Sequence, residues 1–217
     1  MPSQARAEET RRRIIDGAIE LFAESGYGGA SLNQIIRRAH VTPGAFYYHF
    51  ASKEEVAAAI IDEVAARMAD LRAVLLEAPE SGLENVIEMT FQLTVLLGQD
   101  RSYWVAAYLE HTMARHTQQG IQDFAARIGA LLIGVTGAIR ASPLRKGVIP
   151  EEAARTTVNV IYGCLAMTNV LAGDIVTRLA ECWRILLPGL VAPDSLAHFE
   201  KALANAVARC PSSNSHE

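Results

Sequence analysis

The sequence predicts an all-α protein: a small three-helix head carrying a helix-turn-helix, then a larger helical domain, about ten helices in all. Three observations predict it. Half of the 217 residues are hydrophobic and alanine is abundant, while the Val/Ile/Thr alternation of strands is scarce. Apolar residues recur at helical spacing in one segment after another. Two capping boxes, Ser31 with Gln34 and Ser52 with Glu55, mark helix starts. The expected boundaries are residues 1–53 for the head, 54–210 for the larger domain, and 211–217 for a disordered tail.

Residues 1–9 are polar. Arg11-Arg12-Arg13 opens the first helix, where Ile14, Ile15, Ala18, Ile19 and Phe22 repeat at helical spacing and Gly26 is placed to stop it. An N-terminal arm with Arg6 has two open readings, a reach to phosphates or the minor groove and a solvated basic tail. Leu32, Ile35, Ile36 and Ala39 make the buried stripe of the second helix, with Arg37 and Arg38 pointing away. His40-Val41-Thr42 breaks the pattern. Thr42 is a good N-cap and Pro43 suits the first helical position, where its missing N–H costs nothing. In the short third helix Phe46 and Phe50, four apart, dock inward.

That leaves Gly44, Ala45, Tyr47, Tyr48 and His49 open to an outside partner. Two phenols and an imidazole on an open helix face, next to two arginines, suit a grip on DNA in a groove. Net charge is −4, but residues 1–53 carry seven basic and five acidic residues, whereas the rest carry thirteen and nineteen. The basic excess therefore sits with the helix-turn-helix, and the acidic remainder should face away from phosphate.

Ser52 starts a helix that should run to about Leu76, with Val56, Ile60, Val64 and Leu71 as its buried stripe. Lys53 at its start is a natural phosphate contact. After Pro79 the expected helices are 82–98, 101–115, 118–141, 151–172, 174–188 and 194–209, punctuated by Pro143, Pro150, Pro188 and Pro193. The segment 151–188 is apolar nearly all round, so it must be covered on more than one side. A two-fold dimer with a four-helix interface covers it, with Val158, Ile161, Cys164, Leu165, Leu171 and Trp183 as its residues.

Residues 11–61 resemble the DNA-binding domain of the TetR family of bacterial repressors. The likeness is carried by RRIIDGAIELFAESGYGGASL, by VTPGAFYYHF for the turn and recognition helix, and by SKEEV opening the fourth helix, about a quarter of the chain. The resemblance implies a cytoplasmic homodimeric repressor, at the nucleoid when bound, holding double-stranded operator DNA and released by a small-molecule effector. The DNA-contact set is then Ser31, Arg37, Thr42, Pro43, Gly44, Ala45, Tyr47, Tyr48, His49 and Lys53. CWRILLPGL followed by a further helix is similar to the γ-butyrolactone-receptor branch of that family. Those receptors carry a pocket tryptophan on a helix corresponding to 118–141; this chain has none there, and Trp104 or Phe124 would stand in.

A ligand cavity needs apolar walls and a few polar anchors. Trp104, Tyr108, His111, Phe124, Tyr162 and Met167 are the candidates, with core filling as the competing role of each. A pure DNA-architectural protein without a ligand is the alternative, against which stands the long 82–190 region. Enzyme motifs (G-x-S-x-G, a P-loop, H-E-x-x-H) are absent, and no cofactor is expected. His111 and His116, five apart, share a helix face poorly, which counts against a metal-responsive regulator. Cys164, Cys182 and Cys210 fit no zinc spacing and read as reduced, inert thiols. No uninterrupted apolar run reaches membrane-spanning length and the N-terminus lacks a signal-peptide core, so no membrane partner is expected.

Overall fold

The computed structural model describes residues 2–76, 82–167 and 174–210, without the side chains of Pro2, Ser3 and His116. Ten helices follow in order: α1 Pro2–Gly29, α2 Leu32–Arg38, α3 Pro43–His49, α4 Lys53–Leu76, α5 Leu83–Gln99, α6 Arg101–His116, α7 Gln118–Arg140, α8 Pro150–Ala166, α9 Ile175–Leu190 and α10 Leu196–Ala208. Among the described residues there is no strand, only an isolated antiparallel bridge between Leu144 and Val191.

The chain divides into two compact units, residues 1–68 with 99–125, and residues 69–98 with 126–217. The boundary expected at 53/54 falls at the start of α4, inside the first unit, because α6 and the first turns of α7 join the head. α4 and α7 each continue from one unit into the other.

In the first unit α1 packs against α2, α3 and α6. Ile14, Ala18, Phe22, Ile35, Ile36, Ala39, Phe46, Phe50, Val56 and Ile60 are buried as their spacing requires. Gly26 breaks α1 with φ +69°, a left-handed value cheap only for glycine. Gly17 permits a close approach: a β-carbon there would meet the Ala39 backbone nitrogen at 3.1 Å. The Ser31–Gln34 capping box forms in full, and Thr42 caps α3 by accepting the Ala45 N–H at 3.2 Å.

The core of the second unit gathers Leu76, Phe91, Ile139, Ala154, Leu179, Trp183, Leu187, Phe199 and Leu203 from six helices. Two expected helix ends shift. α8 closes at Ala166 with Met167 as its C-cap, short of residue 172. α9 passes through Pro188 to Leu190, because a proline in the last turn forfeits one N–H bond while Arg145 Nη1 donates to the Pro188 carbonyl at 2.9 Å. By length and composition alone α7 is long and apolar enough to cross a membrane, but it is no uninterrupted apolar run: Asp123 and Arg127 interrupt it, and Val135, Ala138 and Ile139 lie in the core. Leu171 and the tail 211–217 fall outside the described residues.

Candidate nucleic-acid interface

α3 owes its orientation to what it buries. Phe46 is wholly buried and Phe50, its C-cap, almost so, with ring centroids 6.1 Å apart. Burying such a ring fully stabilises by about 1.5–3 kcal/mol, and it fixes which face is left open. On that face Tyr47 is 59% and Tyr48 78% exposed, and neither hydroxyl has a hydrogen-bond partner among the described residues. The His49 ring stands edge-on to Tyr48 at 4.9 Å. Thr42, Pro43 and Gly44 are exposed at the N-terminal end, and a β-carbon on Gly44 would meet nothing within 4 Å. Nothing inside the protein requires glycine there.

The two arginines of α2 separate cleanly. Arg38 donates to Glu24 through both terminal nitrogens, at 2.8 and 2.7 Å, and to Glu20 at 3.1 Å. The hydrogen bonds from Arg38 hold the Glu24 carboxyl below its ordinary range. Arg37 is exposed, with no ion-pair partner among the described residues.

Two expected contacts have internal duties. The Ser31 hydroxyl donates to Gln34 Oε1 at 2.6 Å and accepts the Gln34 N–H, so it is absorbed by the cap. The Lys53 ammonium donates to the carbonyls of Tyr27 at 2.8 Å and Ala30 at 2.9 Å and lies 4.1 Å from the Tyr27 ring centroid. The carbonyls released where α1 breaks at Gly26 draw it inward. The Tyr27 hydroxyl donates to Glu54 at 2.9 Å. Burial, and then that carboxylate, push the Tyr27 phenol well above its ordinary range.

Sequence reasoning missed Arg13. Its Nη2 donates to the Ala39 carbonyl at 2.7 Å and also to that of His40, whose φ of +52° is the left-handed turn between α2 and α3. Arg11 similarly bridges α1 to Glu63 at 2.7 Å and covers the Phe50 ring. No spacing rule links residues so far apart; the Arg11–Arg13 run was the only signal.

The expected ligand residues divide between the units, Trp104, Tyr108, His111 and Phe124 in the first, Tyr162 and Met167 in the second. The Tyr108 hydroxyl accepts the Tyr27 N–H at 3.2 Å, beside Gly26, so it also serves the end of α1. Trp104 is half-buried, and the His111 and Phe124 rings pack 5.5 Å apart. Tyr162 is half-buried and Met167 exposed.

Two expected interface residues are corrected as well. Trp183, with 0% exposure, and Val158 are buried in their own unit's core, so no partner can reach them. Cys164 and Cys182 are half-buried, on α8 and α9, which pack on one another. Ile161 and Leu165 keep partial exposure, and Ile185 is 79% exposed. Among the described residues no cluster of metal-ligating side chains occurs.

The model of the family described as "Bacterial regulatory proteins, tetR family" matches residues 14–60. Those residues are the helix-turn-helix with its flanking helices. An uncharacterised HTH-type transcriptional regulator, TtgW of Pseudomonas putida, is 46% identical over 54% of this chain and 72% of its own length. The chain belongs to the TetR family. It is a DNA-binding transcriptional regulator of that family, all-α, with the helix-turn-helix at α2–α3. The chain is also 29% identical to the A-factor receptor protein of Streptomyces griseus, over 92% of this chain and 70% of that one. Among solved structures it is similar to the TetR family protein CprB from Streptomyces coelicolor in complex with its biological operator sequence. That match has TM-score 0.71 and 28% identity, covering 94% of this chain and 98% of the other.

Proposed function

We propose that this TetR-family regulator is a cytoplasmic, homodimeric repressor that leaves a near-palindromic operator when a small molecule binds. The observation that carries the reading is the open face of α3, where Tyr47 and Tyr48 are exposed with no hydrogen-bond partner for either hydroxyl among the described residues, one turn beyond Gly44, whose missing β-carbon relieves no contact. Thr42, Tyr47, Tyr48 and His49 hold phosphates and set the register of α3. Pro43, Gly44 and Ala45, with little bulk, let the backbone approach the groove, and Ala45 offers its methyl to a thymine. Arg37 reaches a base or a phosphate. Ser31 and Lys53 act one step back, through the ends of α2 and α4 that they hold.

Two copies of α3 about one DNA turn apart (~34–36 Å) read the two half-sites. The dimer face is the part of α8 and α9 that carries Ile161, Leu165 and Ile185, and Leu171 belongs to the same apolar run. Likeness to the A-factor receptor protein and to a solved γ-butyrolactone receptor supports a small-molecule effector of lactone type. The effector changes operator affinity only through different affinities for the two head spacings, and α4, running out of the head, is the element that moves.

A footprint of the purified protein on DNA flanking its own reading frame, at two salt concentrations, tests the reading. Two protected half-sites about a turn apart, weakening steeply with salt, are expected. Absence of specific protection there and on genomic fragments would overturn it.

A further inference from the structure

Three consecutive arginines of α1 have different neighbours. Arg11 meets Glu63 and Arg12 meets Asp16. Arg13 meets only carbonyls: its Nη2 donates to that of Ala39 at 2.7 Å and to that of His40. A carbonyl holds a guanidinium in place without cancelling its charge, and among the described residues no carboxylate pairs with Arg13. A guanidinium carries five N–H groups. The two on Nη2 are used, while Nη1 and Nε have no protein acceptor among the described residues. Arg13 is exposed, so those donors are open to an outside acceptor.

His40, whose carbonyl Arg13 holds, is exposed too, and neither ring nitrogen has a hydrogen-bond partner among the described residues. Its φ of +52° would suit glycine, which takes left-handed values without steric cost. The turn thus keeps an imidazole where the backbone alone favours no side chain. The His40 N–H donates to the Arg37 carbonyl at 3.1 Å, and Thr42, two residues on, caps the exposed N-terminal end of α3. Arg13, Arg37 and His40 therefore gather where α3 begins, and among the described residues no carboxylate is paired with any of them.

We propose that Arg13 and His40 form a phosphate clamp at the α2–α3 turn, a contact to the DNA backbone outside the recognition helix. Arg13 brings a charge already fixed in position, so little side-chain freedom is lost on binding. The guanidinium donates to phosphate oxygen through Nη1 and Nε, and the imidazole donates from a ring nitrogen. Such contacts carry no sequence information but set the register of the protein on the duplex. Here they bear on α3 directly, because the same guanidinium holds the turn from which α3 starts. The clamp rests on the reading of α3 as the DNA-facing helix.

Arg13→Gln removes the charge and keeps an amide N–H donor for the turn. Binding of the full chain is measured on the DNA flanking its reading frame and on an unrelated duplex of equal length, from low salt upward. Arg13→Gln is expected to weaken binding to both duplexes about tenfold and to lower the slope of log affinity against log salt by about 1. His40→Gly relieves the left-handed strain, so it should melt at or above the parent's temperature and yet bind both duplexes about threefold more weakly. A merely structural role for the turn could not give that pair of results, and His40→Gly decides even if Arg13→Gln fails to fold. Unchanged affinity and slope in Arg13→Gln, or parental affinity in His40→Gly, would overturn the clamp. So would a loss confined to the flanking DNA, since a phosphate contact acts on any sequence. A parent that protects no specific site fails the repressor reading instead, while the unrelated duplex still decides the clamp.

Discussion

The hydroxyl of Tyr108, on α6, accepts the backbone N–H of Tyr27 at 3.2 Å, just beyond the break in α1 at Gly26. This bond ties α6 to the point where the first helix ends, inside the unit that holds the helix-turn-helix. Tyr108→Phe keeps the ring and removes the acceptor. A half-exposed hydrogen bond of this kind contributes about 0.5–1.5 kcal/mol. Hydrogen exchange at the Tyr27 amide should speed up by a comparable factor with helicity unchanged; unaltered exchange would mean that water replaces the phenol at no cost.

Gly44→Ala separates folding from binding. A β-carbon there meets nothing within 4 Å, and alanine outranks glycine in helices by up to about 1 kcal/mol. The variant should be as stable as the parent or slightly more so. Its operator affinity should fall about tenfold or more, because the methyl stands between α3 and the groove. Equal affinity would remove Gly44 from the DNA-facing set. Tyr48→Phe, a milder change on the same face, should weaken binding with the fold intact.

Adjacent arginines on α2 should behave differently. Arg37→Ala is expected to lower operator affinity and to reduce the slope of log affinity against log salt by about 1 if Arg37 meets a phosphate. Arg38→Ala is expected to leave the slope alone and loosen the head, since it strips Glu20 and Glu24 of their partner. Identical effects in salt titration and thermal melting would refute the distinction.

This contrast shows what could be read before the fold was known. Helix ends, caps and the inward pair Phe46 and Phe50 depend on residues within one or two turns, so the sequence carries them. That Arg38 is paired and Arg37 is open depends on Glu20 and Glu24 arriving from α1, and the Arg13 clamp on the α2–α3 turn depends on the same packing. Trp183 shows the limit on the other side. An apolar segment announces that it must be covered, but not whether its own chain or a second copy covers it.

Acid should weaken the first unit. Three of its carboxyls sit below their ordinary range. Glu24 is held by Arg38, and Glu54 by its own backbone N–H and then the Tyr27 phenol. For Asp100, burial works upward but is outweighed by Ser102 and Arg67. Carboxyls with depressed folded pKa values stabilise above their unfolded pKa, and that stability is lost as pH falls through the folded values. Thermal midpoints should therefore hold steady down to about pH 5 and fall progressively below about pH 4. Asp100 also caps α6, accepting the Ser102 N–H at 2.8 Å while Arg67 donates to it at 2.8 Å. Asp100→Ala should cost about 1 kcal/mol at neutral pH and less at pH 3, where the parent carboxylate is itself being protonated. A loss that did not shrink with acid would assign the cap to geometry rather than charge.

The dimer face can be tested at a residue its own chain does not need. Ile185 is 79% exposed on α9, whereas Trp183 and Leu187 on the same helix are buried. A large aliphatic side chain left in water there gains nothing from its own fold, so Ile185→Glu should leave thermal unfolding of the single chain within about 0.5 kcal/mol of the parent. If α8 and α9 meet their copies in the dimer, the same substitution buries two carboxylates related by a two-fold axis, close to one another and without partners. Sedimentation should then show a monomer at concentrations where the parent is a dimer, and operator affinity should collapse because one head reads only one half-site. Ile161→Glu should do the same, at some cost to the fold because that side chain is half-buried. A full dimer with Ile185→Glu would move the interface off this face, and the exposed Ile133 of α7 would be the next position to substitute.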